Sequence, residues 1–241
     1  MISSMRCDVW WARPAVATPR LLALLDDIER DRYAGYRREI DQLRFLTGRT
    51  LIRAVAAVRL GVEPESVVLD SSCYGCGKPH GKPRVVADGA PEVSISHSGE
   101  RVALAVVDGV PVGIDVEEIR AAEVDDLARV TFTAKEQAEF AAVPAAGRQG
   151  AFFTYWSRKE AVVKATGKGM SIPMSRFTLS AFDAAPRVVA SEAAEVDPAR
   201  VHMADVDAGA DYRASVAIIG DPPPAGWVVE QDADALIADL G

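Results

Sequence analysis

Two carboxylates in this chain stand at a spacing that could hold a divalent cation, and a third carboxylate and an ammonium elsewhere stand one helical turn apart. Asp115 and Glu117 lie two apart in the run Gly113-Ile114-Asp115-Val116-Glu117, so a strand there turns both acids to one side and Ile114 and Val116 to the other. Ordinary strands avoid Asp, and two like charges on one face repel unless something positive lies between them. Hard oxygen ligands of this kind suit magnesium; the plainer reading is an edge strand with solvated acids. Glu160 and Lys164 stand one turn apart on the helical segment 152–164, on the same face as Trp156. An exposed Glu–Lys pair at that spacing contributes only a few tenths of a kcal/mol. Against that plain reading, Phe152, Phe153, Tyr155, Ala161, Val162 and Val163 make this helix too apolar for a solvated surface.

The elements that must position these groups are legible in outline. The 152–164 helix runs into the glycine-rich exit Gly167-Lys168-Gly169. The acids sit on the second of two β-rich runs, 102–107 and 110–116, whose link Asp108-Gly109 predicts a two-residue type I′ hairpin. Gly113 leaves open space beside the acids. A long helix over 39–60 carries the buried stripe Ile40, Leu43, Thr47, Leu51, Val55 and Val58 and ends at Gly61. Arg49 and Arg53 share a face away from that stripe. Thr18-Pro19 caps a short helix, and 131–133 starts another that runs through 135–140. Residues 71–89 hold six Gly and Pro and read as loop, and 93–96 alternate as a strand with His97 at its end. Short strands are predicted at 177–179, 188–189, 212–219 and 227–229, and a terminal helix at 232–240. No internal repeat is visible.

Composition bounds the function. The chain has 241 residues, 49% hydrophobic, enough for one substantial core or two small ones. No apolar run approaches membrane-spanning length and residues 1–8 lack a signal-peptide core, so a cytoplasmic protein with no membrane partner is expected. A net charge of −8 argues against a nucleic-acid partner. The segment 30–59 nevertheless carries eight arginines against three acids, a local cationic region suited to a small polyanion or an acidic partner surface. Cys7, Cys73 and Cys76 are an odd count with no export signal, so disulfides are not expected. Cys73-Tyr74-Gly75-Cys76 with His80 resembles half of a zinc knuckle. A structural zinc needs four ligands and Cys7 is far off in sequence, so a plain glycine-rich loop is the expectation.

Together, Gly113-Ile114-Asp115-Val116-Glu117 and Trp156-Ser157-Arg158-Lys159-Glu160-Ala161-Val162-Val163-Lys164 resemble the two signatures of the 4′-phosphopantetheinyl transferase superfamily. Ser94-Ile95-Ser96-His97-Ser98-Gly99 and Gly81-Lys82-Pro83-Arg84 resemble further elements of its longer, Sfp-type members. The resemblance covers most of residues 30–220. It implies an α+β fold of two similar subdomains related by pseudo-twofold symmetry, 1–112 and 113–241, with the active site in the cleft between them, and hence a monomeric pseudo-dimer.

The same resemblance implies transfer of the phosphopantetheine arm of coenzyme A to a serine of an apo acyl or peptidyl carrier protein, with release of adenosine 3′,5′-bisphosphate. Asp115, Glu117 and Glu160 would hold magnesium, with manganese as the alternative. Lys164 would contact the phosphates and stabilise the leaving group, and Glu160 would serve as base directly or through a metal-bound water. Ser96 and His97 would bind a coenzyme A phosphate, and Arg44, Arg53 and Lys82 the 3′-phosphate and pyrophosphate. Arg49, Pro83, Arg84 and Lys159 complete the expected coenzyme-binding set, with Asp115 and Lys164 also facing the coenzyme. The carriers expected are those of polyketide and nonribosomal peptide assembly or of fatty-acid synthesis. At the start of the 30–44 region, where the family tends to carry basic residues, Glu29 and Ala34 stand nearby in this chain. A non-catalytic module binding coenzyme A or carrier proteins is the competing reading, and the intact metal set argues against it.

Overall fold

The computed structural model describes residues 5–241, and of Met170 the backbone only. The first four residues, part of the N-terminal stretch read above, lie outside the described residues. The chain divides into two compact units, one made of residues up to Gly109 together with Gly226–Gly241, the other of Val110–Ala225.

The first unit contains β1 (Cys7–Ala12), α1 (Pro19–Ala23), α2 (Asp27–Gly35), α3 (Glu39–Leu60), β2 (Leu69–Asp70), β3 (Arg84–Val85), β4 (Glu92–Ser98) and β5 (Arg101–Val107). The second contains β6 (Val112–Glu118), α4 (Val124–Thr131), α5 (Ala134–Ala141), α6 (Arg148–Thr166), β7 (Phe177–Leu179), β8 (Val188–Ser191), β9 (Val201–Asp205) and β10 (Tyr212–Ile219). The chain then returns to the first unit with β11 (Val228–Asp232) and α7 (Asp234–Ala238).

Each unit is α+β and uses one long helix against a sheet. In the first, the order among the described residues is β11-β1-β5-β4. β1 pairs antiparallel with β5 and parallel with β11. α3 covers this sheet, with Leu46, Leu51, Ile52 and Val55 packed beside Val102, Leu104 and Val106; of the stripe expected from the sequence, Thr47, Leu51 and Val55 are buried, Ile40 and Leu43 half-buried and Val58 exposed. Thr18 caps α1 through Leu21 N–H, with Pro19 in the first turn, and Gly61 ends α3 in the left-handed conformation that favours glycine. In the second unit α6 lies on the antiparallel sheet β6-β10-β9. Its other faces are closed by an aromatic cluster of Phe132, Phe140, Phe152 and Tyr155. A helix walled in on nearly all sides has no amphipathic stripe, which is why its apolar composition runs right round.

Two expectations are corrected here. The runs at 102–107 and 110–116 do not form a hairpin. β5 has both edges taken, by β1 and β4, while β6 pairs with β10 in the other unit's sheet. Of the linking pair, Gly109 has a positive φ of 75° and Asp108 does not, whereas a type I′ turn requires both. A single division of the chain at 112/113 also fails to describe residues 226–241, because β11 hydrogen-bonds along β1 and carries its segment into the first unit.

The space beside the acids of β6 is not open either. A Cβ built at Gly113 would stand 2.0 Å from the Ala161 carbonyl oxygen and 2.4 Å from the Ala165 nitrogen. The backbone of α6 therefore rests directly on the backbone of β6 at that residue, and any side chain would push the two apart. Gly113→Ala is expected to lower stability by roughly 3 kcal/mol or more, read as the shift in urea midpoint at constant slope.

Candidate active site

The contact at Gly113 sets the geometry of the four groups singled out in the sequence. Asp115 stands two residues along β6 and is buried, at 4% exposure. Its Oδ1 accepts from Lys164 Nζ of α6 at 2.7 Å. One turn back on α6, Glu160 is partly buried. Burial first, then the negative charge of Asp115, push its carboxyl up to about 6; Lys164 pulls it down and Glu117 adds a further push. Glu117 itself is half-buried near the end of β6, where Arg120 donates to its Oε2 at 3.4 Å. The structure thus brings Asp115, Glu117, Glu160 and Lys164 together in one unit, and Asp115 is no solvated edge acid. Lys164 is paired with a carboxylate across the β6–α6 contact and also acts on Glu160 of its own helix.

Lys159, expected to face the coenzyme, points the other way. It is fully buried and ion-paired to Glu136 Oε2 at 2.9 Å. Its ammonium also donates to the carbonyls of Met174 at 2.7 Å and Phe177 at 2.6 Å. All three protons of the ammonium are used, so Lys159 has none to offer a phosphate. Burial pushes its pKa down to about 8 against the pull of Glu136. Its neighbour Arg158 is equally committed, with both a bidentate pair to Asp205 and the carbonyls of Ala181 and Ala184. Glu136 was missed in the sequence, though Thr133-Ala134-Lys135-Glu136 is a capping-box pattern. The structure realises that box, with Thr133 N–H donating to Glu136 Oε2 at 2.7 Å and Leu179 N–H to Oε1 at 2.8 Å.

The arginines of α3 are likewise partly absorbed by the interior. Arg53 is 3% exposed and forks onto Glu29, at 3.3 and 2.7 Å. Arg49 Nε shares the same carboxylate at 3.3 Å, and burial lowers its pKa. Arg53 is therefore a core ion pair and not an available phosphate ligand. Arg49 keeps Nη1 buried without a partner and stacks its guanidinium over Phe45. The missed partner was again a capping-box acid, since Asp26 and Glu29 cap α2 reciprocally. Arg44 is held by the Gly99 carbonyl at 2.9 Å and Asp41 at 2.9 Å. Lys82 is mostly buried, 3.8 Å from Glu92, with its pKa lowered first by burial. Pro83 is buried, and Arg84 is exposed and pairs with Asp70. On β4, Ser96 is buried and His97 exposed.

The family profile described as 4′-phosphopantetheinyl transferase superfamily matches residues 111–217, the stretch that holds β6 and α6. A 4′-phosphopantetheinyl transferase of Bacillus subtilis is 31% identical over 173 residues, 71% of this chain and 74% of that protein. The chain belongs to the 4′-phosphopantetheinyl transferase superfamily. The transferase psf-1 of Bacillus pumilus is 36% identical over 139 residues, 58% of this chain and 56% of that relative's length. The transferase Sfp of Bacillus subtilis strain 168 is 26% identical over 160 residues, 66% of this chain and 68% of its own. Within the superfamily the chain is of the Sfp type.

For a phosphopantetheinyl transferase superfamily member the carboxylates of β6 and α6 are the residues to test for a metal. The donor set fits a hard divalent cation, being all carboxylate oxygen. The charges of Asp115 and Glu117 also raise the Glu160 pKa, a repulsion that a cation would relieve. A hollow of about 390 Å³ elsewhere in the second unit, lined by Ser157, Asp205, Tyr212 and Arg213 among others, collects none of the expected site residues.

Two measurements check these assignments. Lys159→Met leaves the Glu136 carboxylate buried without its cation and should cost about 3–5 kcal/mol in urea denaturation, with much of that recovered in the Lys159→Met, Glu136→Leu pair. Glu160 is raised above its unfolded value of 4.5, so its ionisation opposes folding above about pH 6. In metal-free protein at pH 7, Glu160→Gln should therefore be stabilising by on the order of 1–2 kcal/mol, the gain shrinking as pH falls from about 6 through 4.5. No gain at pH 7 would mean that burial and the neighbouring acids do not raise Glu160.

Proposed function

We propose that this chain transfers the 4′-phosphopantetheine moiety of coenzyme A to a serine of an apo acyl or peptidyl carrier protein, releasing adenosine 3′,5′-bisphosphate. The observation that carries the reading is the convergence of Asp115, Glu117, Glu160 and Lys164 on the β6–α6 contact in a chain of this superfamily.

Glu160, beside Asp115 and Lys164, would accept the serine hydroxyl proton, directly or through a metal-bound water, as the serine oxygen attacks phosphorus. The serine oxygen forms a bond to the phosphorus bearing the pantetheine arm. The bridging P–O bond breaks with its electron pair going to the adenosine bisphosphate. Lys164, held against Asp115, lends its charge to that leaving group. Asp115, Glu117 and Glu160 would hold magnesium or manganese, which supplies charge neutralisation on the pyrophosphate. In the first unit the coenzyme-binding set narrows to Arg44, Arg49, Lys82, Pro83, Arg84, Ser96 and His97. Arg53 and Lys159 drop out because their charges are met inside the protein.

Among the described residues no helix is long and apolar enough to cross a membrane. The reading has the protein act as a monomer in the cytoplasm on the carriers of polyketide and nonribosomal peptide assembly or of fatty-acid synthesis. Incubation of an apo carrier protein with coenzyme A, magnesium and this protein should add one phosphopantetheine mass per carrier by mass spectrometry. Glu160→Gln and excess EDTA should each slow the transfer at least ~100-fold. Coenzyme A binding without a mass change across a panel of carriers would leave a binding module in place of an enzyme.

A further inference from the structure

The Cys73, Cys76 and His80 cluster lies in the first unit and has no part in the transfer chemistry. Their sulfur and ring-nitrogen atoms all lie within 4.8 Å of one another. Cys76 Sγ and His80 Nε2 are 3.0 Å apart. A tetrahedral site with metal–sulfur near 2.3 Å and metal–nitrogen near 2.0 Å has ligand-to-ligand edges of roughly 3.5–3.8 Å, so a small contraction or expansion of this triangle fits a cation. Among the described residues this is the group of His, Cys, Asp and Glu side chains gathered that tightly.

The backbone is built around the same three residues. They occupy the tip of the β2–β3 hairpin, whose arms pair Leu69 with Val85 and Asp70 with Arg84. The backbone amides of Cys76 and Gly75 beside the Cys73 thiol lower its pKa, which favours a thiolate over a neutral thiol. Gly77 follows Cys76 with φ 69°, and its amide donates to the Cys73 carbonyl at 2.9 Å, turning the chain back. Cys73 N–H in turn reaches the Lys78 carbonyl at 2.8 Å, and Gly81 N–H the Ser71 carbonyl at 2.7 Å. A Cβ at Gly81 would stand 2.5 Å from the Ser72 carbonyl oxygen, so only glycine lets the two sides of the loop close and bring His80 back over the cysteines.

We propose that Cys73 Sγ, Cys76 Sγ and His80 Nε2 bind a zinc ion, a site of three protein ligands whose fourth position is open to solvent or to an incoming ligand. Two soft sulfurs and an imidazole select zinc over magnesium, so this site and the carboxylate set of the second unit do not compete for one ion. Binding releases the two thiol protons to solvent and involves no oxidation. Three protein ligands with one open position is the pattern of sites that keep a water, which removes the need for a fourth cysteine. Cys7 does not enter the count, being fully buried in β1 with its thiol pushed up to about 12 by burial.

The test is metal content after reduction, loading with zinc and desalting. Wild-type protein should retain close to one zinc per chain by mass spectrometry, and Cys73→Ser, Cys76→Ser and His80→Ala should each lose most of it while keeping their circular dichroism. Cobalt in place of zinc should give wild-type protein a sulfur-to-cobalt charge-transfer band in the near ultraviolet that both serine variants lack. Equal zinc in wild type and the serine variants puts the ion elsewhere and overturns the proposal. So does cobalt binding without that band, a measurement that needs no variant to fold. A Cys73–Cys76 disulfide that forms as readily with zinc as without it overturns it as well.

Discussion

One close approach governs the second unit: the backbone of α6 lying on the backbone of β6 at Gly113, where a single Cβ would sit 2.0 Å from a carbonyl oxygen. Asp115 is two residues further along the strand, Glu160 precedes the contacted stretch of the helix and Lys164 lies within it. Distances of 2.7 Å between Lys164 and Asp115 follow only if helix and strand meet without side chains between them. The usual separation of a helix from a sheet would leave these groups too far apart to feel one another. Gly113 is therefore the residue on which the electrostatics of the site rest, although it carries no functional group.

Around that contact, charge is sorted between interior and site. α6 presents Arg158, Lys159, Glu160 and Lys164 within two turns, and the first two are consumed by Asp205, Glu136 and backbone carbonyls. Buried cations of this kind lock the helix in rotation, because each demands a carbonyl or carboxylate in one direction only. With Lys159 fixed inward, Glu160 and Lys164 have one orientation left. The same device recurs in the first unit, where Glu29 holds Arg53 and Arg49 and so fixes α3 against α2. In both cases the acid is the third residue of a helix-capping box, so one carboxylate closes a helix start and anchors a second helix.

Much of this was readable in the chain. The long helices, their glycine stops and the strands at 177–179 and 212–219 follow from periodicity and punctuation, and the two halves of the carboxylate set from residue types two and four apart, with their pairing implied only by the family resemblance. What escaped was decided by partners remote in sequence. Nothing near Asp108-Gly109 says that the flanking strands belong to different sheets, since that depends on β1 and β10 occupying their edges. Gly113 reads as empty space until the helix 50 residues on is laid across it. Lys159 and Arg53 read as phosphate ligands until the burial of Glu136 and Glu29 is known. The half knuckle at Cys73 keeps its three candidate ligands, and only the folded hairpin tip shows that their donor atoms lie within 4.8 Å of one another.

The pairing of β1 with β11 has a consequence for the order of assembly. Cys7 aligns with Val228, so the first strand made waits about 220 residues for the neighbour that completes its sheet. At ribosomal rates of ~5–20 residues per second that is a delay of roughly 10–40 s. The second unit is contiguous and has all its strands in hand by Ile219. Vectorial synthesis thus favours the inserted half maturing first, while the other unit keeps an unpaired edge on β1 until β11 is made.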